Sequence, residues 1–115
     1  MQDVLAFHGR DSEGVAEQVS EDRLRKAVML GGVPVLLDVK FGARAAVCAV
    51  EADGPVGPAL EAMIGDALAN ILGLRIDPDR FLDFAAADSL LGPLAREHKG
   101  LRIVQSATVF EALTW

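Results

Sequence analysis

The chain has one cysteine, no tyrosine, two histidines and only 5% aromatic residues. A lone thiol, Cys48, cannot close an internal disulfide, so no disulfide framework holds the fold. His8, His98 and Cys48 together make no zinc-type ligand set. Long apolar runs are missing too: Gly, Pro or a charge breaks each one well short of the ~20 residues that span a bilayer. The opening MQDVLAFHGRD lacks the basic n-region and apolar core of a signal peptide. Bases are the last scarcity, with eleven Lys plus Arg against seventeen Asp plus Glu and a net charge of −6. Nine acids and six bases precede Gly57, and eight and five follow it, so no basic half is hidden in the total. Surfaces that grip phosphate are built from Lys and Arg, which displace condensed counterions. Composition therefore speaks against a phosphate-gripping domain and against a membrane protein, and for a cytoplasmic one. No glycine-rich nucleotide loop, GxSxG elbow or HExxH helix occurs. Cys48 with either histidine is formally a nucleophile pair, but a thiol on an apolar strand face is ordinary packing. No catalytic, cofactor-binding or metal-binding residue is nominated, and no cofactor is expected.

What is present is enough for a core. A chain of 115 residues, 51% apolar, buries roughly two-thirds of its unfolded surface when it folds. Strand-like residues run through Val4–Phe7, Arg23–Leu30, Val33–Phe41 and Ala45–Glu51. Gly31-Gly32 is a two-residue hairpin loop. Pairing outward from it sets Leu30 opposite Val33, Val28 opposite Val35, Lys26 opposite Leu37 and Leu24 opposite Val39. That face is nearly all aliphatic. The other gathers charge, with Arg25 opposite Asp38 and Arg23 opposite Lys40, and a one-residue slip destroys the sorting. By the same counting Ala46, Cys48 and Val50 join the core face, where their small size leaves room for a helix. Val15, Ala16 and Val19 fall at helical spacing and predict a short helix within Asp11–Ser20. The prolines and glycines of 53–58 end the sheet.

From Ala59 the period changes. Leu60, Met63, Ile64, Ala67, Leu68, Ile71 and Leu72 make a helical stripe, and Gly73 stands where a C′ glycine would stop it. Asp77-Pro78-Asp79 starts another helix, with Phe81 and Phe84 on its apolar face. Asp88 caps a third, carrying Leu91 and Leu94 and ending in Arg96, His98 and Lys99 before Gly100. That cluster, with Arg102, reads as a solvated helix end rather than a phosphate site. Thr108 to Glu111 is a capping-box pattern opening a last helix. It has only about two turns before Trp115, marginal without something to pack on. The expectation is that the 115 residues are the front of a longer protein, with an apolar stump at Phe110, Leu113 and Trp115 that favours self-association.

The order of three stretches resembles one family. Leu72-Gly73-Leu74-Arg75-Ile76-Asp77-Pro78-Asp79-Arg80-Phe81, then Ala87-Asp88-Ser89-Leu90-Leu91-Gly92-Pro93-Leu94, then Gly100-Leu101-Arg102 and Phe110-Glu111-Ala112-Leu113 are similar to the linker of the 3-methyladenine DNA glycosylase II group of helix-hairpin-helix DNA glycosylases. Lys99, Ile103-Val104 and Ala107-Thr108-Val109 depart from prolines and an Asp-Pro usual there. The resemblance implies an α+β fold: a small antiparallel sheet of about four strands, similar to half of the TATA-binding-protein fold, packed against a long helix and followed by short helices. Residues 1–73 are then the α+β domain, and 74–115 the helical linker and the start of a truncated glycosylase domain. It implies base-excision repair, in which the full-length enzyme flips out a damaged, alkylated base and hydrolyses its N-glycosidic bond with an aspartate. Double-stranded DNA is bound through a helix-hairpin-helix that, like that aspartate, lies beyond Trp115. This chain alone is then inactive and has little DNA affinity. Asp77 and Asp88 read as caps and Asp38 as a cross-strand partner. The alternatives are a stand-alone α+β module that binds a protein or ligand through one sheet face, and a small self-contained enzyme. Oligomeric state is left open.

Overall fold

The structure, a computed structural model, describes residues 1–114; Trp115, assigned above to the apolar stump, lies outside the described residues. The elements in order are α1 (Gln2–His8), β1 (Glu17–Val19), β2 (Arg23–Leu30), β3 (Val33–Phe41), β4 (Ala46–Ala52), α2 (Pro58–Ile71), α3 (Pro78–Ala86), α4 (Leu91–Glu97) and α5 (Val109–Thr114). Gly31 and Gly32 adopt φ of 56° and 81°, the left-handed pair that a two-residue hairpin demands. The resulting β2–β3 register has Leu30 opposite Val33, Lys26 opposite Leu37 and Leu24 opposite Val39, as the alternation predicts. β4 follows with Cys48 opposite Val39 and Val50 opposite Leu37. The sheet is a four-stranded antiparallel meander in the order β1-β2-β3-β4. The fold is α+β, a small sheet packed against helices.

The first twenty residues exchange their expected conformations. Val4–Phe7, read as a strand, lies in α1; Asp11–Ser20, read as a helix, supplies β1 instead. Both corrections follow from which residues are buried. Val4, Leu5 and His8 all face inward, and adjacent inward residues followed by a third four positions on suit a helix, not a two-residue period. In the second segment Gly14 takes φ of 61°, and the Asp11 carboxylate accepts from the Glu13 and Val15 amides at 3.1 and 3.2 Å, a turn that excludes helix. Val15, part of the apparent helical stripe, is 81% exposed, and the inward residue is Glu17.

α2 covers the sheet with Leu60, Ile64, Ala67 and Ile71, against Leu24, Leu30, Val35, Leu37 and Val39. It lies over β2 and β3, so β4 is a thinly covered edge: Cys48 and Ala52 are only half-buried, and Val50 remains exposed. The helix stops at Gly73 (φ 63°). There the Gly73 amide donates to Asn70 O at 3.1 Å and the Leu74 amide to Ala69 O at 2.8 Å, a Schellman pair that satisfies otherwise orphaned carbonyls.

α3 and α4 form a second, smaller hairpin. Asp77 caps α3 by accepting from the Asp79 amide at 3.0 Å, and Asp88 accepts from Leu90 and Leu91 at 2.8 and 2.9 Å. Gly92 is where the two helices touch; a Cβ there would stand 3.1 Å from Ala85 O. The expected apolar face of α3 is not covered: Phe81 and Phe84 are 55% and 75% exposed, and Ala85 is the buried residue. After α4 the chain returns to the main unit. The Gln105 amide donates to Asn70 O at 3.0 Å, and Ala107 joins the core of the sheet unit.

Two substitutions measure this packing. Leu37→Ala, at a position with no solvent exposure, is expected to cost about 2–5 kcal/mol in urea unfolding. Gly73→Ala brings a Cβ to 2.8 Å from Arg102 Cβ at a positive φ, and is expected to cost at least the ~1–2 kcal/mol of a left-handed non-glycine residue.

Candidate functional site

The alternation that turns Leu24, Val28 and Leu30 toward α2 turns Lys26 the same way. Its side chain is 2% exposed, and the surrounding elements answer the charge. Lys26 Nζ donates to Glu17 Oε1 from β1 and, at 2.6 Å, to Glu111 Oε1 from α5. The second oxygen of Glu17 lies 3.1 Å from His8 Nδ1. The other ring nitrogen, His8 Nε2, donates to the carbonyl of Ile71 at 3.0 Å, at the end of α2. Phe7 packs edge-on against the imidazole with ring centroids 5.2 Å apart. Glu111 Oε2 accepts from the Ala107 amide at 3.0 Å, and the Glu111 amide donates to Thr108 Oγ1 at 3.2 Å. The capping box foreseen at Thr108 and Glu111 is thus formed, displaced by one residue at its return bond, and its glutamate also reaches Lys26.

Burial pushes the Glu17 carboxyl up, but hydrogen bonds from His8 and Lys26 and the charges of both overcome it, and the group titrates at about 2. Glu17 is therefore an anion at neutral pH. The described residues leave no buried side-chain nitrogen or oxygen without a partner. Buried ion pairs gain little net stability over an apolar equivalent, whereas deleting one member strands the others. The network ties α1, β1, β2, α5 and the end of α2 to one another. An ammonium already sits between the two carboxylates, and no group of three His, Cys, Asp or Glu among the described residues is placed to hold a metal ion.

Beside the network an open groove of about 980 Å³ runs along β2, lined by Val15, Ala27, Met29 and Phe110 with Asp11 and Glu13 at its rim. β1 spans only Leu24–Lys26 of its neighbour, and two flanking bonds, from the Ala27 amide to Ala16 O and from the Ser20 amide to Arg23 O, both 2.9 Å, extend the pairing.

The other residues singled out above lie apart. The Cys48 thiol donates to Ala49 O at 3.4 Å and is pushed up by burial, while both ring nitrogens of His8 are engaged elsewhere. His98 ends α4 in solvent, and Arg102 Nη1 donates to Gly73 O at 3.4 Å. Asp38 faces Arg25 at 3.5 Å as the register requires, but Arg23 grips it more closely, at 2.6 and 2.5 Å. The Arg23 guanidinium holds the Asp38 carboxyl below the usual carboxylate range. His8, Glu17 and Lys26 were not nominated from sequence. A lysine on an otherwise aliphatic strand face was the available signal.

Lys26→Ala leaves Glu17 and Glu111 facing each other, and a loss of about 3–5 kcal/mol in denaturant unfolding is expected. The Glu17 shift sets an acid dependence. Its folded value lies below the ordinary 4.5, so its contribution is complete above about pH 4.5 and is lost as pH falls toward 2. Comparison of wild type with Glu17→Gln is expected to show about 3 kcal/mol of that dependence, with the two converging in acid.

The sequence matches no established family profile and no curated protein sequence. Among solved structures the chain is similar to the 3-methyladenine DNA-glycosylase from Archaeoglobus fulgidus, with a TM-score of 0.73 at 20% identity. The match covers 97% of this chain and 38% of the glycosylase, so the chain spans well under half of its neighbour's length. At that identity the likeness is one of fold: the α+β arrangement resembles that of the N-terminal domain of a DNA glycosylase.

Proposed function

We propose that these residues are the non-catalytic α+β part of a DNA glycosylase of base-excision repair. In its full-length form the enzyme hydrolyses the N-glycosidic bond of alkylated bases. The observation that carries this reading is the fold likeness over nearly the whole chain to a protein named for 3-methyladenine. The order of the Asp77-Pro78, Asp88-Ser89-Leu90-Leu91-Gly92-Pro93-Leu94 and Phe110-Glu111-Ala112-Leu113 segments supports it independently. In this reading double-stranded DNA is held by a further helical part, not by a surface of net charge −6. The division of labour also suits the residues present. Asp77 and Asp88 are occupied as caps and Asp38 by two arginines, which leaves these three to structural work. The exposed Phe81, Phe84, Leu90, Phe110 and Leu113 are then side chains that a further part covers.

A stand-alone module is the second reading, favoured by the open groove beside β2. The native gene product separates the two by its mass and activity. A product larger than 12.2 kDa that releases bases from methylated duplex DNA is expected, together with no release by the 115-residue chain alone. Base release by the chain alone overturns the non-catalytic assignment. A native product of 12.2 kDa, with unaltered base release in extracts of a deletion strain, overturns the glycosylase reading.

A further inference from the structure

We propose that the outer edge of β4 is a homodimer interface: two copies pair antiparallel across a two-fold axis at Ala49 and join their four-stranded sheets into one. The inference concerns the edge remote from the buried network and does not depend on the enzymatic reading above.

β4 is the last strand of the sheet, and among the described residues no strand pairs with its outer side. Soluble proteins protect such an edge with proline, lysine, a bulge or a very short strand. The opposite edge follows that pattern, since β1 has only three residues and is preceded by the Asp11 turn. β4 does not. Its seven residues include no proline and no lysine. They match β3 in unbroken succession from Phe41–Ala46 to Val35–Ala52, so no bulge turns the edge away. Val47 and Val50 are 70% and 40% exposed.

The groups that the edge offers point to a second copy of itself. The Asp53 amide donates to Pro34 O at 2.9 Å and the Gly42 amide to Ala45 O at 2.8 Å. Odd-numbered residues of β4 therefore turn their amides and carbonyls to β3, and Ala46, Cys48, Val50 and Ala52 turn theirs outward. A second β4 centred on Ala49 sets 46 opposite 52 and 48 opposite 50, outward residue against outward residue. The two-fold axis repeats both pairs, and each pair exchanges two hydrogen bonds. All seven residues of the strand are then used, whereas a slip in either direction shortens the overlap.

The side chains agree with that register. On the core face, Cys48 of one copy meets Val50 of the other, flanked by Val39 and Leu37 of the respective β3 strands. The apolar floor that α2 leaves open thus continues across the axis. On the opposite face, Glu51 of one copy lies beside Val47 of the other, and Lys40 is the next residue in that row. Within the described residues neither Lys40 nor Glu51 has an ion pair or a side-chain hydrogen bond. Two strand spacings, about 9.5 Å, separate their Cα atoms in the dimer, within reach of two long side chains. The symmetry makes this pairing twice and keeps the two Glu51 carboxylates apart, where facing like charges would oppose association.

The test uses the whole chain. Sedimentation equilibrium is expected to show a reversible monomer–dimer equilibrium with a Kd between about 1 µM and about 1 mM; a monomer throughout that range overturns the interface. Ala49→Lys sets two ammonium groups against each other at the axis, while within one chain the new lysine faces Asp38, so the fold is kept. The variant is expected to weaken the dimer about tenfold or more. A dimer unmoved by it forms through another surface, such as the apolar end of α5, and overturns the proposal. Register is read by cross-linking in a Cys48→Ala background. Ala49→Cys brings its two thiols to a non-hydrogen-bonded pair about 4.5 Å apart at Cα, within disulfide range, and a covalent dimer is expected in a glutathione buffer. Val47→Cys keeps its two thiols about 13 Å apart along the strands, and no covalent dimer is expected. Equal cross-linking of the two variants, or none at Ala49→Cys, overturns the two-fold pairing. Both positions are exposed, so the folded chain is what each variant reports on.

Discussion

Lys26 carries a full charge into an apolar core, and much of the chain is arranged around that fact. An unpaired ammonium at this depth would cost several kcal/mol. Glu17 and Glu111 neutralise it from two directions, and His8 takes up the remaining oxygen of Glu17 while closing on the end of α2. Segments that share little apolar surface are thereby given one common address. β1 is only three residues long and α1 seven; neither has the length to fix its own position by burial alone. Polar satisfaction supplies the directionality that so short an apolar face lacks.

The parts of the fold legible in the sequence are those set by local backbone chemistry and by alternation. Gly31-Gly32 forces a hairpin of one register, and the eight pairs from Arg23–Lys40 to Leu30–Val33 follow by counting. The ends of α2 and α3 were equally readable, because Gly73 and Asp77-Pro78 act within a few residues. The first twenty residues were not readable. Their conformations depend on Glu17 meeting Lys26 and His8 meeting Ile71, contacts across 9 and 63 positions. No local period encodes such a meeting, and Val15 and Val19 mimic a helical stripe while facing outward. The network has no local signature for the same reason. Each member looked ordinary in its own segment, and only Lys26, an ammonium on an aliphatic face, was out of place.

The acidic total also acquires a finer meaning. One of the seventeen acids and one of the eleven bases, Glu17 and Lys26, are buried against each other, and Glu111 meets the same lysine from the edge. The residual surface remains acidic, and three of its arginines are engaged by local acids: Arg23 and Arg25 on Asp38, and Arg75 on Asp66. Such a surface is suited to solubility more than to steering toward a polyanion.

The meeting of Gly73 with Arg102 and Ile103 has a consequence for evolution. Residues 74–101 leave the main unit and return to the place they left, with Arg102 Cβ 2.8 Å from where a Gly73 side chain would begin and its guanidinium on the Gly73 carbonyl. Topologically the α3–α4 hairpin is an excursion with a closed stem. Closing a loop of that size costs only slightly more than closing a much shorter one, so lineages are free to lengthen, shorten or replace the excursion while the stem survives. Descendants of this fold should therefore differ most between positions 74 and 101, and the glycine at 73 should outlast the helices it introduces.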